Sequence, residues 1–307
     1  FFEDINYAAD GGLYAELVQN RGFEYSDADH PRHEGWGPAY AWRTYGGAAL
    51  SFDTANPIHA NNAHYAVLDV GKPGDAMANT GFDGIAVKQG DTYLLSLFGR
   101  MVEGNGRRVR VALRTKDGRE IGSATVTLPR DGWRRLDAKI KATETAADAE
   151  LAIMPEAAGR YAFDMVSLFP KDTYKGRRNG LRRDLAEAIA NLKPRFVRFP
   201  GGCVAHGNGI QNIYRWKNTV GPLESRKGMA NIWRYHQSVG LGFYEYFQFC
   251  EDMGAEPLPV LAAGVPCQNS SWGGDGQQGG IPLGKEMDKY IQDVLDLIEW
   301  ANGDKTT

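Results

Sequence analysis

The spacing of apolar residues changes once along this chain, near Pro170, and one layer type does not accommodate both halves. From about Leu17 to Phe169 they alternate with polar ones in short runs, as in Arg108-Val109-Arg110-Val111-Ala112-Leu113 and Ala124-Thr125-Val126-Thr127-Leu128. Asp117-Gly118 between those two runs reads as a hairpin turn, and Tyr93–Gly99 and Glu150–Met154 read as further strands. Many short strands and no helical period predict an antiparallel β-sandwich.

Beyond Pro170 the period lengthens. Leu181, Leu185, Ala188, Ile189 and Leu192 recur at helical spacing, followed by the short apolar run Phe196-Val197-Arg198-Phe199 and then Pro200-Gly201-Gly202. A second helix is expected over Tyr244–Met253, then an apolar run over Pro257–Gly264. A third is expected over Lys285–Ala301, with apolar Met287, Tyr290, Ile291, Val294, Leu297 and Ile298. Helix, buried strand and glycine loop in repetition predict a parallel α/β domain. The opening Phe1-Phe2-Glu3-Asp4-Ile5-Asn6 reads as a strand of that same domain, which makes the sandwich an insertion within it.

The chain has 307 residues and a formal net charge of −3, which suits two globular domains and gives no polybasic surface for nucleic acid. No run approaches the ~20 apolar residues of a membrane span. The start, without Met or a signal-peptide pattern, reads as processed or truncated and says nothing of compartment. Cys203, Cys250 and Cys267 are too few and too scattered for a disulfide framework or a zinc cluster, and at least one is unpaired. Cys250, inside an apolar helix pattern, reads as a buried reduced thiol.

Parallel barrels carry their active sites at the C-terminal ends of strands. Three such ends are proposed: Glu3, Asp4 and Asn6; Arg198 through Cys203; and Ala263–Gln268. Only Glu3, Asp4 and Arg198 bring full charge. An arginine in an apolar strand either reaches sugar hydroxyls or fixes a catalytic carboxylate, or else closes an interior ion pair. Glu3 either accepts sugar hydroxyls or is a solvated acid near a chain end. Trp36, Tyr40, Trp42 and Tyr45 read as sandwich core rather than as sugar-stacking rings. The six histidines show no metal-site spacing, and only His206 falls near a proposed pocket strand.

Phe1–Asn20 resembles the start of the catalytic domain of family fifty-one α-L-arabinofuranosidases. Asn179-Gly180-Leu181-Arg182-Arg183-Asp184 through Arg198-Phe199-Pro200-Gly201-Gly202-Cys203 resembles their second helix-to-strand unit, and Tyr214–Pro222 and Phe249–Pro257 continue the match. The intervening segment resembles a jelly-roll carbohydrate-binding module, opening at Asn20-Arg21-Gly22-Phe23-Glu24 and closing at Phe163–Leu168. The resemblance implies a partial (β/α)8 barrel with an inserted jelly roll: residues 1–16 the first strand and loop, 17–169 the sandwich, 170–307 the second and third βα units.

It implies further a retaining hydrolase that releases terminal α-L-arabinofuranosyl groups from plant polysaccharides or oligosaccharides by means of two glutamates. Glu3 and Cys203 match positions that contact the arabinose, and Arg198 one beside the nucleophile. No cofactor is implied for catalysis. In such modules the opening and closing strands often help hold a structural calcium, so Glu24 and Asp164 are candidate ligands, and the six to eight oxygens that calcium prefers require backbone carbonyls as well. In the family the acid/base follows an Asn-Glu pair on the fourth strand and the nucleophile lies on the seventh. No Asn-Glu pair occurs in this sequence, and the barrel part is about 150 residues against ~250 for a whole barrel. A fragment without its catalytic pair is therefore expected, with self-association through its open edge and export from the cell. The alternatives are a non-catalytic carbohydrate-binding protein and a barrel glycosidase of other sugar specificity.

Overall fold

The computed structural model describes residues 1–30, 33–267, 270 and 279–303; Gln268, at the end of the third proposed site segment, lies outside them. The chain divides into two compact units, Asp10–Glu187 and Phe1–Ala9 with Ala188–Thr307, so the first is inserted in the sequence of the second.

In the inserted unit the described strands are β1 (Trp42–Tyr45), β2 (Ala49–Asp53), β3 (Tyr65–Val70), β4 (Ala76–Asn79), β5 (Ile85–Val87) and β6 (Thr92–Gly104). They continue with β7 (Arg108–Arg114), β8 (Glu120–Thr127), β9 (Arg134–Lys141), β10 (Ala146–Pro155) and β11 (Gly159–Pro170). They form two antiparallel sheets, ordered β1-β4-β10-β7-β8, with β5 also on β10, and β2-β3-β11-β6-β9. The two-residue period explains the pairing of the sheets' inner faces. Tyr93, Leu95 and Leu97 of β6 and Val109, Val111 and Leu113 of β7 are buried in one common core with Leu151 and Ile153 of β10. Each such side chain contributes about 1.5–3 kcal/mol by leaving water. Trp36 and Trp42 are buried as expected, whereas Tyr40 and Tyr45 are partly exposed.

The segments entering and leaving the sandwich pair with each other. Tyr14 and Leu181 form an antiparallel bridge, Arg182 N–H donates to Leu13 O at 2.8 Å, and Ala15 N–H donates to Gly180 O at 3.1 Å. Beneath them Glu16 is a buried carboxylate bonded by Arg21 Nη1 at 3.1 Å, Val18 N–H at 3.0 Å, Leu168 N–H at 2.8 Å and the Ser167 hydroxyl.

On the outer face of the first sheet, buried Glu150 of β10 accepts from Arg43 Nε at 3.0 Å, Tyr45 OH at 2.7 Å and Arg114 Nη2 at 2.7 Å. Burial alone would raise its carboxyl, but the bonds from Tyr45, Arg43 and Arg114 outweigh it and hold the group below its ordinary 4.5. A carboxylate depressed in the folded state stabilises above its unfolded value and loses that contribution as pH falls through the folded one. Urea unfolding midpoints of the sandwich are therefore expected to fall below about pH 4.5. Glu150→Gln should lower the midpoint at neutral pH and flatten the acid limb. Parallel acid limbs in the two proteins would assign the loss to other carboxylates.

The other unit receives the chain through α1 (Arg183–Asn191), which straddles the boundary between the two. It then contains β12 (Phe196–Phe199), the one-turn helix α2 (Cys203–His206), a hairpin of β13 (Met229–Asn231) and β14 (Tyr235–Gln237), α3 (Phe243–Met253), β15 (Glu256–Pro259) and α4 (Lys285–Asn302). β12 and β15 run parallel, Phe196 beside Glu256 and Phe199 beside Pro259, with α3 in the crossover. A parallel pair requires such a crossover. Phe199 packs on α3, its ring stacked at 4.5 Å on Tyr246 and edge-on to Phe243 at 5.5 Å. α3 begins where Glu245 accepts from Gly242 N–H at 3.0 Å and ends at Gly254, whose positive φ of 69° closes the last turn. The apolar stripe of α4 divides. Tyr290 and Leu297 are buried, whereas Ile291, Leu295 and Ile298 are 50%, 51% and 57% exposed.

Phe1–Asn6 forms no regular strand, which corrects the strand expected there. The segment nonetheless lies along β12: Phe2 N–H donates to Arg198 O at 2.7 Å and Asp4 N–H to Pro200 O at 3.1 Å. Asn6 and Tyr7, at φ of 55° and 62°, then break the extended run. The strand expected over Pro257–Gly264 likewise stops early, at Pro259. Among the described residues no helix is long and apolar enough to cross a membrane.

Candidate active site

The Phe1–Asp4 segment and the turn after β12 bring the charged groups together. Backbone bonds from Phe2 to Arg198 of β12 and from Asp4 to Pro200 just beyond it leave Glu3 between them, and successive side chains of an extended segment point to opposite sides. Phe2 packs on Tyr246 of α3 at 5.6 Å. Glu3 instead lies against the glycine turn. A Cβ on Gly201 would stand 2.6 Å from Glu3 Cγ, and Gly201 has a φ of 147° that other residues rarely adopt. Gly201 is thus required both by the backbone and by the close approach of Glu3.

Glu3 Oε1 accepts from Val204 N–H in the first turn of α2 at 3.4 Å. First-turn amides have no acceptor within their own helix, so a carboxylate satisfies one. Cys203 opens the same turn, half-buried and in no disulfide. Arg198 of β12 places Nη2 3.9 Å from where a Gly202 Cβ would be, and its guanidinium lies 4.5 Å from the Phe1 ring centroid. Among the described residues it makes no ion pair. Glu3, Arg198 and Cys203 therefore flank one turn, Pro200–Cys203.

Asp4, the neighbour of Glu3, is buried and heavily bonded. Its carboxylate accepts from Ala9 N–H at 3.1 Å, Tyr235 OH at 2.9 Å and Gln237 Nε2 at 2.5 Å. Its carbonyl accepts from Asn231 Nδ2 at 2.8 Å and Tyr235 OH at 2.9 Å. Sequence reasoning noted the charge of Asp4 and missed this network, because its partners other than Ala9 lie more than two hundred residues away in a hairpin of three-residue strands. His206 ends α2 with Nδ1 2.8 Å from Val265 O, and Cys267 N–H donates to Gly207 O at 3.1 Å, which ties the third proposed segment to the same region. None of the three cysteines is in a disulfide, and Cys250 and Cys267 are buried; burial pushes the Cys250 thiol up to about 11.

In the sandwich, Asp164 is fully buried and accepts from Asn62 Nδ2 at 2.7 Å and its neighbour Met165 N–H at 2.6 Å. Burial raises its carboxyl well above the ordinary value, and the charge of nearby Glu24 adds to the effect. Glu24 accepts from His64 N–H at 2.7 Å and lies 2.8 Å from His64 Nδ1. Among the described residues no cluster of three or more His, Cys, Asp or Glu is arranged to hold a metal.

The sequence profile of the alpha-L-arabinofuranosidase 1 domain matches residues 188–307, and that of a carbohydrate binding domain matches residues 15–159. An extracellular exo-alpha-L-arabinofuranosidase of Streptomyces chartreusis is 43% identical over 100% of this chain and 36% of its own. Alpha-L-arabinofuranosidase 1 of Arabidopsis thaliana is 33% identical over 99% of this chain and 44% of its own. The solved structure of an arabinose-bound GH51 α-L-arabinofuranosidase superposes with a TM-score of 0.84 at 33% identity, covering 97% of this chain and 47% of that one. Along its whole length the chain is thus a homologue of the family fifty-one α-L-arabinofuranosidases, of which it spans less than half.

Proposed function

We propose that these residues form the sugar-gripping part of a retaining α-L-arabinofuranosidase whose two catalytic glutamates lie outside residues 1–307. Glu3 accepts hydroxyls of the arabinofuranosyl ring, the Cys203 thiol contacts the same sugar, and Arg198 stands beside the nucleophile and keeps it ionised. The observation that carries this reading is the convergence of Glu3 and Arg198 on the Gly201–Gly202 turn in a chain homologous to arabinofuranosidases throughout. The parallel β12–β15 pair and the extended Phe1–Asp4 segment beside β12 support a partial (β/α)8 barrel of residues 1–16 and 170–307, with residues 17–169 as its inserted jelly roll. The exposed Ile291, Leu295 and Ile298 of α4 are then the surface on which the rest of the barrel packs, and a route to self-association in its absence. The substrate is an arabinose-containing plant oligo- or polysaccharide. Export from the cell fits both such a substrate and the extracellular Streptomyces relative.

The chemistry of such a site follows from its charges. A glutamic acid protonates the leaving oxygen while a second glutamate, held roughly 5 Å away, attacks the anomeric carbon. Arg198 lacks an ion-pair partner among the described residues, which leaves its fork of donors for that second carboxylate. Charge-assisted hydrogen bonds from the sugar to Glu3 contribute about 1.5–3 kcal/mol each. In a protein that carries this chain together with the catalytic glutamates, Glu3→Ala should lower kcat/KM for an aryl arabinofuranoside by about tenfold to a hundredfold per bond lost. A Glu3→Ala enzyme within twofold of the parent would remove Glu3 from the site.

We propose also that the sandwich holds a structural calcium between Glu24 and Asp164. Asp164 is a buried carboxylate beside a second one, with neutral donors only, and a hard cation relieves that placement. Backbone carbonyls complete the oxygen set. At a hundredfold excess of calcium over its Kd the gain is about 2.7 kcal/mol, so a chelator should lower the sandwich Tm by about 5–10 °C and calcium should restore it. Glu24→Gln should abolish the response; a Tm indifferent to both additions dismisses the cation.

A further inference from the structure

We infer that Asp4 is a positioning residue for Glu3, clamping the β13–β14 hairpin against the end of the first segment and thereby fixing where the Glu3 carboxylate stands. The inference rests on the reading of Glu3 as the group that grips the sugar. Glu3 itself is held lightly, by one 3.4 Å bond from Val204 N–H and by contact with Gly201. A half-buried carboxylate with three rotatable bonds would otherwise sample several directions. Its backbone is held instead through its neighbour. Asp4 accepts on its carboxylate from Ala9 N–H and Gln237 Nε2 and on its carbonyl from Asn231 Nδ2, and the Tyr235 hydroxyl is shared between the two. Tyr7 adds a stack on the Tyr235 ring at 4.3 Å, just beyond the left-handed break at Asn6.

Ala9 N–H, Tyr235 OH and Gln237 Nε2, which donate to the Asp4 carboxylate, are neutral groups, so this part of the clamp depends on acceptors in a fixed geometry. Gln237 Oε1 is buried with no hydrogen-bond partner among the described residues, while its Nε2 bonds Asp4. Turning that amide over would let Oε1 accept from an asparagine amide at position 4. The structure therefore predicts a sharp difference between two substitutions of one residue. Asp4→Asn keeps the clamp, with Oδ1 still accepting from Ala9 and Tyr235 and the new Nδ2 donating to the turned Gln237. Asp4→Ala releases it.

The reporter is the Val204 amide, whose acceptor is Glu3 Oε1, followed by NMR hydrogen exchange on the 307-residue chain without sugar. Exchange at Val204 is expected to quicken by about tenfold or more in Asp4→Ala and to remain near wild type in Asp4→Asn, with the amides of β6 and β11 unchanged as an internal control. Should Asp4→Ala fail to fold, Tyr235→Phe and Gln237→Ala each remove one donor and should quicken Val204 exchange to a smaller extent. Val204 exchange unchanged in Tyr235→Phe and Gln237→Ala overturns the inference, as does exchange raised in Asp4→Asn as far as in Asp4→Ala. Because no sugar is present, either outcome is independent of whether Glu3 binds arabinofuranosides.

Discussion

Arg226→Ala is expected to destabilise the unit that carries the candidate site by about 3–5 kcal/mol, the cost of leaving a buried charge without its partner. Arg226 and Glu245 are 6% and 5% exposed and meet through two bonds of 2.8 Å, Nη1 to Oε2 and Nη2 to Oε1. Arg226 also donates to Gly221 O, Val239 O and Gly240 O, so one side chain closes the loop around it. Glu245 in turn accepts from Gly242 N–H and so starts α3, the helix that packs on β12. Losing Arg226 therefore loosens the strand that presents Arg198. Denaturant unfolding followed by tryptophan fluorescence measures the effect. Glu245→Ala should cost a similar amount, and the double variant Arg226→Met, Glu245→Leu should recover much of it, since a buried pair replaced by apolar residues is often neutral. A single variant within 1 kcal/mol of wild type would show that solvent reaches the pair.

How far the sequence discloses this molecule depends on the range of the interaction. The sandwich strands were legible because alternation is local: Val109, Val111 and Leu113 face the core for the same reason that they alternate with arginines. The α3 and α4 helices were legible from their period. The Phe1–Asn6 segment was only half legible, since its bonds to β12 follow from its extended character but the left-handed Asn6 and Tyr7 leave no local trace. The β13–β14 hairpin was not seen at all, because three-residue strands carry too few apolar positions to show a period. The same limit hid the partners of Asp4, as well as Arg226 and Glu245, nineteen residues apart and joined only by the fold. Trp36 and Trp42 were read correctly as core, whereas Tyr45 proved to be an outer-face residue bonded to Glu150. Glu3 and the Arg198–Cys203 segment were legible as charged or glycine-rich strand ends, whereas the roles of Glu3, Arg198 and Cys203 came from a family resemblance. What the structure adds is that Gly201 is the residue around which Glu3 folds and Gly202 the one beside which Arg198 ends.

The largest effect on activity concerns the chain as a whole. Retaining hydrolysis needs one carboxylic acid to protonate the leaving oxygen and a second carboxylate to attack the anomeric carbon. In the proposed assignment Glu3 serves as neither, because its carboxylate faces the sugar hydroxyls from the Pro200–Cys203 turn, and no Asn-Glu pair occurs anywhere in the sequence. The most direct measurement is an assay of the purified, mass-verified 307-residue chain with a chromogenic α-L-arabinofuranoside. The account predicts turnover no higher than buffer alone. Turnover above background that disappears in Glu3→Gln would contradict it, and would place the catalytic pair within these residues.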